Sequence, residues 1–413
     1  MKLQDNDITW INTVVGIVGI LLAIFALGFI WGSLLAFFTI LLAIILLKYF
    51  RTSEPIEEPA KVTKSFDVKI GNENNLGLLP KEQRLIEYKA GKNPYICGSA
   101  LPGNSPMFYG RDDELHSILG FLRHPDQSGN ISVVGERRIG KSSLLNQVCQ
   151  ALMVDAKVIT ISTTLQEWKF NSQADFFASL HQAICEVIPT GFDTTVNSYD
   201  EFSSFIEQQA VNYRFVFFVD EFDKMLENKY FDSDFFASMR ILGYDAKYNW
   251  SYVLASLKPL NEITYQNMQE SSFHNIFSSY PIGLLDEDDA LVLIKEPLQG
   301  CFVDSFEQVQ AEIVDYAGYH PAFIQMVAVN YWEDCHNNST VNHDRIKVNL
   351  KPHCLDLWRH RNVKEQDCLL QIAGGGLPKN RSIVERLRVR GLLDADNKLF
   401  SNYFKQVVDE FRE

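Results

Sequence analysis

The stretch at residues 131–145, ISVVGERRIGKSSLL, constrains this chain more than any other. A short β-branched run reaches Gly135, and five residues later Gly140, Lys141 and Ser142 open an apolar stretch with helical spacing. This order predicts a strand, a phosphate loop of the form G-x-x-x-x-G-K-S and a helix. The glycines let backbone N–H groups face a polyphosphate, Lys141 reaches its β and γ phosphates, and Ser142 offers a hydroxyl to Mg²⁺. A basic turn that happens to contain glycines is the alternative.

A second signal is the run at residues 215–221, FVFFVDE. A continuous apolar run of this length is typical of a strand buried on both faces, as in a parallel sheet. Asp220 and Glu221 follow at its carboxyl end, where ligands bind in open α/β sheets. We expect Asp220 to hold Mg²⁺ through water and Glu221 to polarise an attacking water. Two solvated acids at a strand end are the alternative.

Strand and helix patterns alternate along the middle of the chain. This alternation predicts an α/β fold with a five-stranded parallel sheet, helices on both faces and right-handed crossovers. The expected strands cover residues 131–134, 157–161, 215–219, 251–255 and 280–284. After Leu285 only helical patterns continue, so we expect an α/β domain over residues 93–284, a helical module over 285–345 and a winged helix over 346–413.

The N-terminal segment carries no charged residue between positions 8 and 47. As one helix it would be about 60 Å long, roughly twice the hydrocarbon thickness, so residues 1–50 are expected to form a hairpin of two transmembrane helices. Lys48 and Arg51 follow, which favours cytoplasmic ends. We therefore expect a multi-pass inner-membrane protein with the lipid bilayer as a partner, a polar linker over residues 51–92 and a cytoplasmic α/β domain. A buried hairpin in a water-soluble core is the alternative.

Composition narrows the partners. The net charge of −14 argues against non-specific nucleic-acid binding, because an acidic field repels phosphate. The seven cysteines are scattered without a C-x-x-C pair, which favours reduced thiols in a cytosolic domain. A group of histidines and cysteines near residues 353–368 does not match known zinc spacings, and we expect no metal there.

Several polar residues are weaker candidates. Asp223 is a weaker candidate for the same attacking water, although a helix N-terminal acid is the favoured explanation. The strand-end pair Ser256 and Lys258 is a candidate sensor of the γ-phosphate, with an ordinary strand-end loop as the alternative. Arg137 and Arg138 lie inside the phosphate loop, where they would touch phosphate, a second subunit or only solvent. Arg240 is a candidate charge stabiliser that acts on a neighbouring subunit.

A basic helix near the C-terminus raises the question of DNA. Its arginines suit a helix that enters a DNA groove, but the charges over residues 378–413 nearly cancel, so we favour a packing module over a DNA reader. The arginines are Arg381, Arg386, Arg388 and Arg390.

From about Asn93 onward the chain resembles the STAND class of P-loop ATPases, in the prokaryotic AAA-like branch with a helical lid and a C-terminal winged helix. The resemblance lies in residues 108–114, 135–143, 218–223 and 318–321. It implies that Pro321 packs against adenine and that Tyr109 and Arg111 line the adenine and ribose side. The chain departs from the family in one extra residue between Gly318 and Pro321, and in Ala-Ser rather than Gly-Ser at the end of the fourth strand.

The resemblance implies a nucleotide switch that binds ATP and Mg²⁺, hydrolyses ATP slowly and forms homo-oligomers through the ATPase domain. Our leading hypothesis is a membrane-anchored switch in bacterial anti-phage defence or stress signalling, set off by an unidentified protein or phage trigger. A membrane-tethered DNA-binding or scaffolding protein with structural nucleotide is the alternative. The expected catalytic residues are Glu221 and Lys141, the metal ligands Ser142 and Asp220, and the nucleotide ligands Gly135, Arg138, Gly140, Lys141, Ser142, Ser143, Tyr109, Arg111 and Pro321.

Overall fold

The computed structural model describes residues 15–19, 66–72, 74, 92–124, 129–164, 170–188, 195–263, 266–302, 304–378 and 380–412. The chain divides into two compact units, Met1–Thr63 and Lys64–Glu413. In the first unit the described residues 15–19 are helical.

The expected inner-membrane location is wrong. No helix within the described ranges is long and apolar enough to cross a bilayer. Apart from residues 15–19, the predicted hairpin lies outside the described residues. Among the residues that the structure describes, no spanning helix supports the membrane location expected from the apolar composition of the N-terminal segment.

A six-stranded mixed sheet organises the second unit. Its strands are β1 Asp67–Ile70, β2 Asn130–Val134, β3 Val158–Thr164, β4 Arg214–Asp220, β5 Trp250–Ser256 and β6 Phe277–Pro281, in the order β1-β3-β4-β5-β2-β6. Strands β2 to β6 are mutually parallel, which confirms the expected α/β fold. The strand count is six rather than five because β1, from the predicted linker, pairs antiparallel with β3.

Helices pack on both faces of this sheet. They are α1 Asp112–Leu122, α2 Lys141–Leu152, α3 Gln173–Cys185, α4 Tyr199–Gln209, the four-residue α5 Phe222–Met225, α6 Ser233–Tyr244 and α7 Gln266–Ser271. Three 3₁₀ turns, Ala246–Tyr248, Leu260–Glu262 and Phe273–Ile276, complete the connections. The apolar faces of α1 and α2 bury β2 with Ile139, while a cluster rich in phenylalanine fills the opposite face.

The chain after β6 is helical. Its helices are α8 Glu287–Lys295, α9 Phe306–Ala317, α10 Pro321–His336, α11 His343–Arg359, α12 Val363–Ala373, α13 Arg381–Val389 and α14 Asn402–Asp409. A single antiparallel bridge joins Leu393 to Leu399 between α13 and α14. Buried side chains from all seven helices form one continuous core with Tyr95, Leu101 and Met107. The α8–α14 region is called the C-terminal module below.

The expectation that every cysteine is reduced is not met. Cys301, in the loop between α8 and α9, forms a disulfide with Cys335 at the end of α10. Five cysteines are free: Cys97, Cys149, Cys185, Cys354 and Cys368. The disulfide joins positions 34 residues apart, and no short-range cysteine spacing in the sequence predicts it.

Candidate functional site

The predicted phosphate loop connects the carboxyl end of β2 to the amino end of α2. At Gly135 a Cβ atom would lie 2.7 Å from the Ile282 carbonyl oxygen and 2.8 Å from Ile139 Cγ2, so a side chain there would displace the loop. Gly140 has φ 108°, a conformation that favours glycine, and no atom lies within 4 Å of an added Cβ. The loop is therefore closely packed at its start and open at Gly140, just before the helix.

The amino end of α2 is suited to an anion. Gly140 provides no side-chain cap, and no acidic residue lies in the first turn. The first N–H groups of a helix have no acceptor within the helix, and the helix dipole makes this end positive. Polyphosphate oxygens are ligands that satisfy both conditions.

Lys141 is the cation of this loop. Its Nζ donates hydrogen bonds of 2.9 Å to the carbonyl oxygens of Gly135 and Glu136. Burial lowers the pKa of Lys141, while the carboxylates of Glu136, Asp220 and Asp223 act in the opposite direction. The ammonium group is held over the loop by neutral carbonyl groups, which phosphate oxygens would replace as stronger, charge-assisted acceptors.

The two predicted metal ligands lie together. The Ser142 hydroxyl donates a 2.5 Å hydrogen bond to Oδ2 of Asp220. Asp220 ends β4 and Ser142 lies in the first turn of α2, with β5 lying between β4 and β2 in the sheet. A hydroxyl and a carboxylate at this distance form one edge of an oxygen-rich site that suits Mg²⁺. The adjacent cavity, of about 460 Å³, is lined by both residues and by Asn146, Thr163 and Lys69.

Glu221 follows Asp220, but its carboxylate pairs with Lys224 instead of joining the contact between Ser142 and Asp220. Its φ of 53° places it in the left-handed region at the start of α5, and its N–H bonds Asp220 Oδ1 at 2.9 Å. Its carboxylate is half exposed and forms an ion pair with Lys224. A role in water activation requires Glu221 to release Lys224.

The weaker candidates are held by backbone groups. Asp223 Oδ2 accepts a 2.8 Å hydrogen bond from Leu257 N–H, and burial raises the pKa of this carboxyl. Ser256 donates to the Lys258 carbonyl oxygen at 2.7 Å. The end of β5 is thereby fixed to the short helix α5, which carries Asp223 close to the charge of Lys141.

Ser143 and the two loop arginines are placed differently from one another. The Ser143 hydroxyl accepts a 3.0 Å hydrogen bond from Leu101 N–H, which holds this side chain toward the segment before α1. Arg138 is exposed with φ 62°. Arg137 is also exposed and lies 3.7 Å from Asp356 of α11.

The predicted adenine side brings α1, β6 and the C-terminal module together. Arg111 is buried, donates to the Gly283 carbonyl oxygen just after β6 and pairs with Glu114 at 3.1 Å. Tyr109 donates a 2.6 Å hydrogen bond to Glu296, directly after α8. Pro321 is the first residue of α10, where the missing N–H is not needed.

The turn before Pro321 is enclosed. A Cβ on Gly318 would lie 1.7 Å from the Phe400 carbonyl oxygen. His320 is 1% exposed, its two ring nitrogens have no hydrogen-bond partner, and its ring packs against Phe323 and Phe400. Burial lowers the pKa of His320 to about 3, with Arg111 and Arg138 acting in the same direction. His320 is therefore a neutral imidazole buried within the C-terminal module, in the turn between α9 and α10.

A buried ion-pair network was missed from the sequence. Glu136, in the phosphate loop, lies 2.8 Å from Arg361 and 2.9 Å from Arg390. Glu365 completes the set, at 3.5 Å from Arg390 and 4.0 Å from Arg361. All four side chains are at most 5% exposed. Two carboxylates and two guanidinium groups balance in charge, as burial requires.

Helix caps and close packing position the side chains of this network. Glu365 closes a capping box at the start of α12, where Asn362 Oδ1 accepts from Glu365 N–H and Glu365 accepts from Asn362 N–H. Arg361 precedes that cap and donates to the Leu357 carbonyl oxygen. Arg390 ends α13 beside Gly391, whose added Cβ would lie 2.9 Å from Ile139 of the phosphate loop. The C-terminal module is thus packed directly on the phosphate loop.

The other arginines are less suited to their predicted roles. Arg240 lies 5.7 Å from the Tyr244 ring, and Tyr244 shares a cavity with Asn130 at the start of β2, the sheet edge opposite the phosphate loop. In the predicted basic segment, Arg390, which directly follows α13, is buried against Glu136, and Arg388 is paired with Glu385. Two of the four arginines are therefore already engaged within the chain.

The residues present fit a magnesium nucleotide. The glycines, Lys141 and the uncapped end of α2 match a polyphosphate, and the Ser142–Asp220 pair matches a hard cation. When bound, Mg²⁺ would supply positive charge to phosphate oxygens.

No protein-family model matches the chain, and no curated protein sequence matches it. Among solved structures, the Walker-type ATPase PABY2304 of Pyrococcus abyssi is similar with a TM-score of 0.51 and 16% identity, over 75% of this chain and 98% of that one. The Aeropyrum pernix ORC2 protein, in its ADPNP–ADP complexes, has a TM-score of 0.48 and 12% identity, over 77% and 97% of the two chains. The first of these likenesses shows the fold: this chain has the α/β fold of P-loop ATPases.

Proposed function

We propose that this chain binds ATP with Mg²⁺ at residues 135–143 and hydrolyses it. The observation that carries the proposal is the 2.5 Å contact between Ser142 and Asp220 beside Lys141, because it joins a cation site to a phosphate site. The order of strands supports it, since β2 and β4 deliver the two halves of the site to the same edge of the sheet.

In this proposal each residue has one task. The N–H groups of the loop and Lys141 hold the β and γ phosphates, and Ser142 and Asp220 hold the cation. Glu221 leaves Lys224 and orients a water molecule toward the γ-phosphate. Cleavage then yields ADP and inorganic phosphate.

The adenine would lie between α1 and α10. Tyr109 and Arg111, held by hydrogen bonds to Glu296 and Gly283, would line one side of the adenine site. Pro321 begins α10, the helix that would face the adenine. Arg138, exposed in the loop, is free to reach phosphate or an adjoining copy.

We further propose that the chain is a switch of the STAND type that forms homo-oligomers in a nucleotide-dependent way. The contact of Glu136 with Arg361 and Arg390 supports this, because it ties the phosphate loop to the C-terminal module. The cellular role, in anti-phage defence or stress signalling, and its trigger stay predictions.

The test is ATP turnover by the full-length chain with and without Mg²⁺. We expect slow, Mg²⁺-dependent release of phosphate that Glu221→Gln abolishes while ATP binding remains. Glu227→Gln, a nearby exposed glutamate, is the matched control and should leave turnover unchanged. Binding without turnover in wild type, at all protein concentrations, would overturn the hydrolysis and favour a scaffold in which nucleotide is structural.

A second measurement addresses assembly. Particle mass is compared with ADP and with a non-hydrolysable ATP analogue. A larger particle only with the analogue is the expected result, and equal masses in the two states would refute the switch. A shift of duplex DNA at physiological salt that Arg386→Ala removes would instead favour the DNA-binding alternative.

A further inference from the structure

A cluster of two cysteines and a histidine lies in the C-terminal module, apart from the phosphate loop. Cys301 is buried in the loop between α8 and α9, while Cys335 and His336 end α10. One ligand atom from each residue lies within 4.8 Å of the others. His336 Nδ1 is 4.0 Å from Cys301 Sγ.

The positions of these residues are set by the two segments that carry them. Gly300 and Phe302, on either side of Cys301, have φ values of 94° and 54° and turn the loop toward α10. The His336 ring stacks on Trp332 at 3.7 Å, and its Nδ1 lies 2.8 Å from the Trp332 carbonyl oxygen. The Cα atoms of Cys301 and Cys335 are 6.0 Å apart.

We propose that Cys301, Cys335 and His336 form a redox-controlled site for a soft divalent cation of the Zn²⁺ class. Two thiolates and an imidazole are the ligands that such an ion prefers. Three protein ligands leave a fourth position for water, and the exposed side of His336 gives an ion access.

The two sulfurs have two alternative states. In the disulfide they are bonded to each other and cannot bind a cation as thiolates. Reduction by a small-molecule dithiol transfers two electrons and two protons to the sulfurs and leaves the dithiol oxidised. Zn²⁺ then displaces those two protons as it binds the two thiolates. His336 binds the cation through Nδ1 once the Nδ1 proton has moved to Nε2 in the other neutral tautomer, so the contact with the Trp332 carbonyl oxygen is given up.

This site does not depend on ATP binding, so its test is made without nucleotide. Full-length protein is reduced with dithiothreitol, freed of reductant under nitrogen and titrated with Co²⁺ as a coloured probe. We expect a thiolate-to-cobalt charge-transfer band and visible bands of tetrahedral Co²⁺, both of which added Zn²⁺ removes. Oxidised protein should show neither band, which tests the site without any substitution.

Three variants sharpen the result. Cys301→Ser and Cys335→Ser should each lose the signal, whereas His336→Gln should keep the sulfur band and bind Co²⁺ about 10-fold or more weakly. Cys185→Ser is the matched control, because Cys185 also lies beside a histidine, with Sγ 3.3 Å from His181 Nε2. The proposal is overturned if reduced wild type gives no sulfur band, if the band survives both serine variants, or if Cys185→Ser removes it.

Discussion

Glu136 and Arg390 form a buried ion pair at 2.9 Å although they lie 254 positions apart in the chain. One belongs to the phosphate loop and the other ends α13. Arg361 shares the same Glu136 oxygen at 2.8 Å. Any displacement of the loop by a ligand therefore acts on two arginines of the C-terminal module.

Removing one partner from this network should destabilise the protein strongly. Arg361→Met leaves two buried carboxylates facing one guanidinium group, and we expect a loss of about 3–5 kcal/mol in unfolding free energy. Arg388→Met, which breaks the exposed pair with Glu385, is the control and should cost at most about 1 kcal/mol. Urea denaturation measures both. Equal small losses would show that the buried network contributes little.

The Mg²⁺ dependence of nucleotide binding should rely on the Ser142 hydroxyl. Ser142→Ala removes the hydroxyl next to Asp220, and we expect the Mg²⁺ concentration needed for tight nucleotide binding to rise about 10- to 100-fold. Ser142→Thr should restore it. Ser143→Ala is the neighbouring control, since that hydroxyl serves Leu101 N–H. A fluorescent nucleotide titrated at several Mg²⁺ concentrations reports the effect, and a Ser143→Ala variant with the same defect would contradict the assignment.

Stability should fall in mild acid because of His320. Its pKa of about 3 in the folded state lies below the ordinary value of 6.5, so the unfolded chain binds a proton more readily. The contribution of the neutral ring is complete above pH 6.5 and decreases as the pH falls toward 3. Between pH 7.5 and 5 the loss is about 2 kcal/mol.

The pH effect is isolated by comparison with His320→Gln. Unfolding free energies of the two proteins are measured across this pH range, and their difference should change by about 2 kcal/mol. A difference that does not change with pH would mean that His320 already binds a proton in the folded state.

Gly318 should be intolerant of any side chain. An alanine Cβ would overlap the Phe400 carbonyl oxygen, at 1.7 Å, in addition to adopting φ 54°. Gly375→Ala is matched to it, with φ 76° and open space around an added Cβ, and should cost only about 1–3 kcal/mol of backbone strain. We expect Gly318→Ala to cost clearly more in thermal unfolding, and equal losses would show that the Phe400 contact yields easily.

The phosphate loop and the buried β4 were predictable because local pattern alone defines them. A glycine spacing and a continuous apolar run need no knowledge of distant residues. The orientation of the Glu221 side chain could not be predicted from the sequence, because its pairing with Lys224 depends on a left-handed turn at the start of α5.

Contacts between residues that are far apart in the chain could not be predicted from the sequence. Glu136 occupies a variable position of the loop motif, and Glu365 looks like an ordinary helix-capping residue. Only the packing of α12 and α13 against the loop brings their charges together. The same reason hides Cys301 and Cys335, which meet because α10 runs back past the loop before α9.

The strand β1 has a practical consequence for anyone trimming this protein. It covers β3, whose sequence VITISTT is rich in β-branched residues and uncharged, the composition of an edge prone to intermolecular pairing. β1 itself presents the charged, exposed Asp67 and Lys69. A shortened chain that starts at residue 93 would expose the backbone edge of β3 and should aggregate, whereas one that starts before Phe66 would keep β1 paired with β3.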